Sequence, residues 1–547
     1  MMEVGVTTLA GLIDRAADEY AKSEAIVFER ERLTYHELYN QSSRLAKGLL
    51  KLGIKKGDKM ALWINNCPEW EYCEYAIFKV GGVMVPLNTR FKLEELAYIL
   101  GQSDATTLIM TDKFLGIDFI EMIYELIPQL KNTLKGKLDV SQFPFLKNII
   151  CKSEKTYPGI FGLDEVLVSG DTVDDKMLKE RQQMIKGEDV VCIPYTSGTT
   201  GFPKGVMTTN FQYLKEVHDI AMRMGIREGD RFCTVTPFSF NFGNFFGPLM
   251  ATMFGGCVVP LAFFDPEKAL EVIEKEKCTN MMGTPTIYIE LLRHPKFANY
   301  DLTSLRTGVI GAAPSPVKLI EDIFEKMGIK GLVAAYGMTE NSGATTVTQI
   351  GDPLEVIATT VGKPLPDVEI KIIDPESGQD IGREQQGELC TRGYIVMKGY
   401  YKMPEETAKV FSDDGWCHTG DLGVIDKEGN LKITGRLKDM FISGGTNVYP
   451  AEVENFLFKH PKIKQVSIIG VPDKKMGEVG MAFVILKKGE ESTAEEIIEF
   501  CKGKIANYKI PKYVEFVEGF PLTAIGKVQK FKLREMALDK LKFLLSK

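Results

Sequence analysis

The chain has 547 residues, with 67 Lys and Arg against 74 Asp and Glu for a net charge of −7, and 44% of its residues are apolar. That length exceeds one ordinary core and asks for about two to four compact units. The balanced composition excludes disordered, collagen-like and coiled-coil chains, and the acidic excess argues against a dedicated nucleic-acid binder.

The amino terminus, MMEVGVTTLAGLIDRAADEY, has neither a basic region nor a continuous apolar stretch, so no cleaved targeting signal is expected. Ten scattered cysteines, none in C-x-x-C spacing, and the dispersed histidines His36, His218, His294, His418 and His460 point to a reducing, cytoplasmic setting without a structural metal. Through the first hundred residues or so, helical patterns alternate with short apolar runs: LTYHELYNQSSRLAKGLLKLG then KMALWIN, PEWEYCEYAIFKVGG then VMVPLN. This rhythm predicts parallel α/β layers. It returns between residues 185 and 340, where VVCIPYT, FCTVTPF, TNMMGTP, TGVIG and LVAAYG read as buried strands.

No charge interrupts the chain from Phe232 to Phe264, long enough to span a bilayer as one helix. Pro237, Pro248, Pro260, Gly255-Gly256, Asn241 and Asn244 predict short pieces instead, and no transmembrane segment. Phe238, Phe240 and Phe242 stand at alternate positions and are expected to share one side of an extended segment.

From about residue 366, DVEIKIID, GELCTRG and GVIDKEGNLKITG predict antiparallel strands. A compact α+β pattern follows GRLKD: a helix in PAEVENFLFKH, strands in QVSIIGVPD and MAFVILKKG, a helix from Ser492 to Ile505 and the strand KYVEFVE. A boundary is placed before Lys438, dividing the chain into 1–437 and 438–547. The terminal LLSK carries the letters of the peroxisomal address in the wrong position.

The richest local signal is YTSGTTGFPKG, Tyr195 to Gly205. Thr196, Ser197, Thr199 and Thr200 offer hydroxyls, Gly198 and Gly201 let the backbone approach an anion, and Lys204 adds a point charge. Pro203 stands where a Walker A loop would place its second glycine. A surface turn ending in a solvated lysine is the competing reading of such a loop.

This string resembles the phosphate loop of the adenylate-forming superfamily, which includes acyl-CoA synthetases, amino-acid adenylation domains and luciferases. Further segments resemble that family's motifs in order. GAAPSP, with Gly311, Ala312 and Ala313, is similar to the adenine-side loop, and AYGMTE, with Tyr336, Gly337, Met338, Thr339 and Glu340, to the adenine and magnesium motif. GWCHTGDLG resembles the ribose motif, GRLKDMFISGGTNVYPAEVE the hinge motif and PLTAIGKVQK the catalytic-lysine motif.

The resemblance implies an α/β amino-terminal domain with parallel sheets and a β subdomain, capped by a small mobile α+β lid. It implies that Tyr336 faces adenine, Thr339 meets the α-phosphate, Glu340 ligates Mg²⁺ through a hard oxygen, and Asp421 and Arg436 hold the ribose. Lys527 would be the cation that offsets repulsion between carboxylate and α-phosphate. Lys438 would be the hinge, and Ser443, Gly444 and Gly445 would line the CoA path.

The stretch containing Phe238, Phe240, Asn241 and Gly243 overlaps the family's acyl pocket. Phe240 departs from the histidine found in many acyl- and aryl-CoA synthetases. Asn241 replaces the aspartate with which amino-acid adenylation domains hold an ammonium group. No G-G-x-S carrier motif follows, and GTPTIYIELL, AYGMTENS, RGYIVMKGYY, GGTNVYPAEVE and FCKGKIANYKIPKYVEFVEGFPLTAIGKVQKFKLRE are similar to medium-chain and related fatty acyl-CoA synthetases. The expected protein is therefore an AMP-forming acyl-CoA synthetase that activates a fatty, medium- to long-chain carboxylic acid as a small-molecule substrate with ATP, Mg²⁺ and CoA, with homo-oligomerisation left open. The rivals are an aryl-CoA ligase, a carrier-loading enzyme and a non-catalytic nucleotide sensor.

Overall fold

A computed structural model describes residues 5–196, 203–313, 315–522 and 528–545, with side chains to Lys540. Among these residues the expected parallel layers form two sheets. One runs, by strand, 31–34, 24–28, 257–260, 231–234, 280–283, 307–311, 331–336, 346–347 and 363–364, parallel over its six central strands. The other runs 208–209, 190–192, 83–86, 59–63, 105–111, 148–152 and 161–162, parallel after its first pair. Helices that bury one stripe of side chains join these strands. In Tyr35–Lys51, Leu38, Leu45, Ala46 and Leu49 face the core, and Thr34 with Glu37 closes a capping box at the start.

The uncharged stretch differs from its sequence reading. Between the strands Arg231–Thr234 and Cys257–Pro260 it forms a continuous helical run over Asn241–Asn244, Phe245–Leu249 and Met250–Phe254. Its middle is a wide π turn with Pro248 inside, and a widened turn tolerates the missing N–H that would break a regular helix. No helix among the described residues is long and apolar enough to cross a membrane.

The segments 368–373, 387–393, 417–425 and 431–436 form an antiparallel sheet of four strands, in the expected order. Beyond the turn Leu437–Asp439, a separate sheet pairs 446–448, 441–443, 477–486 and 463–473, and 513–516 joins it parallel to 477–486. Its two hydrophobic clusters draw only on residues from Phe441 onward. The helix expected over Ser492–Ile505 is shorter, Ala494–Cys501. The residues after the lysine motif form the helix Lys530–Leu545, which buries Leu533 and Ala537 one turn apart.

Candidate nucleotide site

Strands Thr307–Gly311 and Gly331–Tyr336 run parallel in register, with Gly311 opposite Ala335, so their following loops leave the sheet side by side. The carboxyl ends of parallel strands are where α/β sheets bind ligands. Ala312 turns the first loop through a left-handed conformation, φ +65°, and Ser342 does the same in the second, φ +59°. Such conformations in non-glycine residues cost on the order of 1–3 kcal/mol and gather at functional sites. Gly337 is required by space: a Cβ there would lie 1.8 Å from the Gly343 carbonyl oxygen. Glu216, fully buried, accepts the Ala344 N–H and holds this loop from beneath.

Three of the expected ribose and adenine residues meet directly. The Tyr336 hydroxyl donates to Asp421 Oδ2 at 2.6 Å, and Arg436 Nε lies 3.1 Å from Asp421 Oδ1. Asp421 and Arg436 face each other across the strands Cys417–Ile425 and Leu431–Arg436, which sets the pair by register. Burial, then the Asp421 charge, push the Tyr336 phenol well above its usual pKa, so it remains a hydrogen-bond donor. Partial burial opposes the charge on Arg436, yet Asp421, Asp439, Tyr336 and Glu340 together hold its pKa above the usual value.

Met338 precedes a short 3₁₀ turn, Thr339–Asn341, that carries Thr339 and the half-buried Glu340. Glu340 Oε1 accepts from the Tyr400 hydroxyl at 2.8 Å. A half-buried carboxylate on a fixed turn is the kind of hard oxygen donor that suits Mg²⁺ shared with nucleotide phosphates, so the residue fits that ion.

Thr196 and Lys204 are directly paired across a short antiparallel ladder. Lys204 is nearly buried, and its ammonium meets the Glu406 carboxylate and lies 4.9 Å from the centre of the Tyr400 ring. The solvated-lysine reading is therefore corrected. Pro203 is half-buried at the end of the loop, while Ser197, Gly198, Thr199, Thr200, Gly201 and Lys527 lie outside the described residues.

The expectation that three phenylalanines share one side of an extended segment needs correction. Phe238, Phe240 and Phe242 do not share a strand face: Phe238 is buried against Trp70, Phe240 immediately precedes the helix, and Phe242 packs on Phe246 one turn along. Phe238 is held further by its N–H, which donates to Asn66 Oδ1 at 2.8 Å, so it is a core residue. Gly243 is a packing position, since a Cβ there would lie 2.1 Å from the Pro237 carbonyl. Asn241 accepts from the Tyr213 hydroxyl at 3.0 Å and donates to the Ser342 carbonyl, tying this helix to the loop after Tyr336.

Lys438 is exposed in the turn Leu437–Asp439. Ser443 is buried, and Gly444 and Gly445 make the two-residue turn of the hairpin that follows, with φ of +60° and +83°.

Sequence reasoning missed Tyr400, Glu406, Glu388 and the surroundings of His418. The last two meet across adjacent strands, with Glu388 Oε2 3.1 Å from His418 Nδ1, Cys390 Sγ 3.7 Å from the same nitrogen, and the Gly420 N–H donating to Glu388 Oε1. Among the described residues, histidines dispersed along the chain thus conceal a Glu–Cys–His cluster, which braces the irregular strand segment leading into Asp421.

The sequence matches the AMP-binding enzyme family over residues 13–401 and the AMP-binding enzyme C-terminal domain over residues 452–527. It is 42% identical to YngI of Bacillus subtilis (strain 168), covering 98% of each chain. It is 37% identical to the mitochondrial medium-chain acyl-CoA ligase ACSF2 of Danio rerio, over 97% of this chain and 88% of that one. Among solved structures, the anthranilate CoA ligase AuaEII in complex with anthranoyl-AMP superposes with a TM-score of 0.85 at 27% identity, covering 98% of each chain. A family match over most of its length, together with 42% identity across nearly the whole of YngI, shows that the chain belongs to the AMP-binding enzyme family.

Proposed function

We propose that this protein is an AMP-forming acyl-CoA ligase that activates a medium- to long-chain fatty acid. A carboxylate oxygen attacks the α-phosphorus of ATP, the bond to the bridging oxygen breaks, and pyrophosphate leaves. The CoA sulfur, as thiolate, then attacks the carbonyl carbon of the acyl-adenylate, and AMP departs as the thioester forms. Neither step needs a covalent bond to the protein.

The observation that carries this reading is the convergence of Tyr336, Asp421 and Arg436 beside a loop holding Glu340. In this account Tyr336 presents its ring to adenine, and Asp421 with Arg436 addresses the ribose hydroxyls. Gly311, Ala312, Ala313, Gly337 and Met338 shape the loops around the base. Thr339 and the phosphate loop, Thr196 to Lys204, receive the phosphates. Glu340 would hold Mg²⁺, which supplies positive charge to the polyphosphate when bound. Lys527 would bring its ammonium to the reacting carboxylate and α-phosphate, a preorganised charge that costs no reorganisation as negative charge develops. The division at 437/438, with Lys438 as hinge, would let the small unit present first Lys527 and then the Ser443–Gly445 turn for CoA.

The fatty acid assignment rests on similarity to ACSF2, named for medium-chain substrates. AuaEII, bound to an aromatic adenylate, supports a second reading as an aryl-CoA ligase. AMP release from ATP and Mg²⁺ should be measured with acetate, octanoate, palmitate, benzoate and an amino acid, each with and without CoA. CoA-dependent release peaking on octanoate or palmitate is expected. A peak on benzoate moves the assignment to the aryl class, and pyrophosphate exchange without CoA-dependent turnover moves it to carrier loading. Bound ATP with no AMP from any acid would leave a nucleotide sensor.

A further inference from the structure

Two residues beyond the quoted nucleotide motifs touch the charged groups assigned to the polyphosphate: Glu406 meets Lys204, and Tyr400 meets both Lys204 and Glu340. The chain around Tyr400 lies alongside the end of the phosphate loop: Met207 N–H donates to Gly399 at 3.0 Å, Lys398 N–H to Met207 at 2.9 Å and Tyr401 N–H to Gly205 at 2.8 Å. This pairing lays the Tyr400 ring against the Lys204 ammonium, while its hydroxyl reaches Glu340 Oε1. The short helix Pro404–Ala408 then turns back, fixed by Tyr400 N–H donating to Thr407 Oγ1 at 2.9 Å, and delivers Glu406 to Lys204.

Glu406 also meets Lys409, so one carboxylate orients two ammonium groups. Lys204 and Lys409 hold the Glu406 carboxyl down to about 2, so it stays ionised at any working pH. A lysine side chain carries about 2 kcal/mol of rotamer entropy, and fixing it beforehand removes that cost from ligand binding. The Lys204 side chain, only 11% exposed and gripped by a ring and a carboxylate, is fixed in this way.

We propose that Glu406 and Tyr400 are positioning residues for the β- and γ-phosphates of ATP, with Glu406 acting through Lys204 and Tyr400 joining Lys204 to Glu340. The inference rests on the assignment of Lys204 and Glu340 to the nucleotide. Because only the outer phosphates are involved, it separates ligands that carry them from AMP, which does not.

Equilibrium binding of MgATP and of AMP should be measured on the full chain for wild type, Glu406→Gln, Lys204→Met and the double variant. Glu406→Gln keeps the side chain's size and is expected to weaken MgATP about 10-fold, the scale of one charge-assisted hydrogen bond, while leaving AMP within about twofold. In the Lys204→Met background the same change should cost less than about twofold, because its effect passes through the lysine. Equal weakening of AMP, or costs that simply add in the double variant, would overturn the proposal. Tyr400→Phe keeps the ring and removes the hydroxyl, so the Mg²⁺ concentration for half-maximal ATP binding should rise severalfold; an unchanged Mg²⁺ requirement would remove Tyr400 from it. A wild-type chain that binds neither nucleotide defeats the nucleotide-site reading itself, whereas normal binding without coupling defeats this inference alone.

Discussion

At the scale of single residues, Tyr336 and Asp421 hold different shares of the same interaction. Tyr336 donates to one oxygen of Asp421, and Arg436 meets the other, so the carboxylate is fixed from both sides before any ligand arrives. Replacing Tyr336 by Phe retains the ring and removes one hydrogen bond, which should weaken AMP binding by about 10-fold or less. Replacing Asp421 by Ala removes the proposed ribose acceptor and the partner of Arg436, and the loss should exceed 100-fold on the order of two such bonds to a charged group. Calorimetric titration with AMP ranks the two, and equal losses would show that Asp421 contributes nothing beyond the bond it accepts from Tyr336. These residues were legible in the sequence because each sits inside a short motif whose spacing is local. Glu406 was not, since its partner Lys204 lies 202 residues away and the contact depends on how a loop folds back. Phe238 was misread because alternation in a short aromatic run does not distinguish an extended segment from a turn entering a helix.

At the scale of elements, the helix Pro68–Lys79 is buried along its whole length and carries Glu71 and Glu74 inside. It packs near the helix over Asn241–Asn244, from which Asn244 Nδ2 donates to Glu74 Oε1 at 2.8 Å. Burial raises the Glu74 carboxyl to about 8, partly offset by hydrogen bonds from Asn244 and Trp70. In the unfolded chain its pKa is near 4.3. Between those values the folded state binds more protons, so the contribution of Glu74 to stability is full below pH about 4 and is lost as pH rises through about 8. Glu74→Gln keeps the donor–acceptor shape and cannot ionise. Thermal melts from pH 5 to pH 9 should therefore show the variant gaining on wild type as pH rises, by on the order of a few kcal/mol, with the curves closest at pH 5. Parallel curves would mean that Glu74 ionises freely in the folded chain. The parallel rhythm around this helix was readable because buried strands and amphipathic helices differ in period, whereas Pro248 within a helix was not. A proline normally ends a helix, and only the wide π turn formed in three dimensions absorbs it.

At the scale of the molecule, the described residues from Phe441 onward keep their own hydrophobic clusters, and Lys464 lies 3.9 Å from Glu290 of the larger part. Separate clusters make relative motion the default expectation. The chain crosses between them through Leu437–Asp439, where Lys438 is exposed. If the two half-reactions need different orientations, the backbone at this turn must change its φ and ψ between them. Proline at 438 would fix φ near −65°, compatible with the 3₁₀ turn at that residue, but would disfavour the helical conformation that Leu437 now holds. Lys438→Pro should therefore fold, melt somewhat below wild type, and separate the chemistry into two unequal parts. Pyrophosphate exchange reads adenylation, and single-turnover transfer from isolated acyl-adenylate to CoA reads thioester formation. One of the two should persist within about 10-fold while the other falls by more than about 100-fold, as expected when one constellation is never assembled. A uniform fall in both would place the hinge elsewhere, and no change in either would mean that one orientation serves the whole reaction.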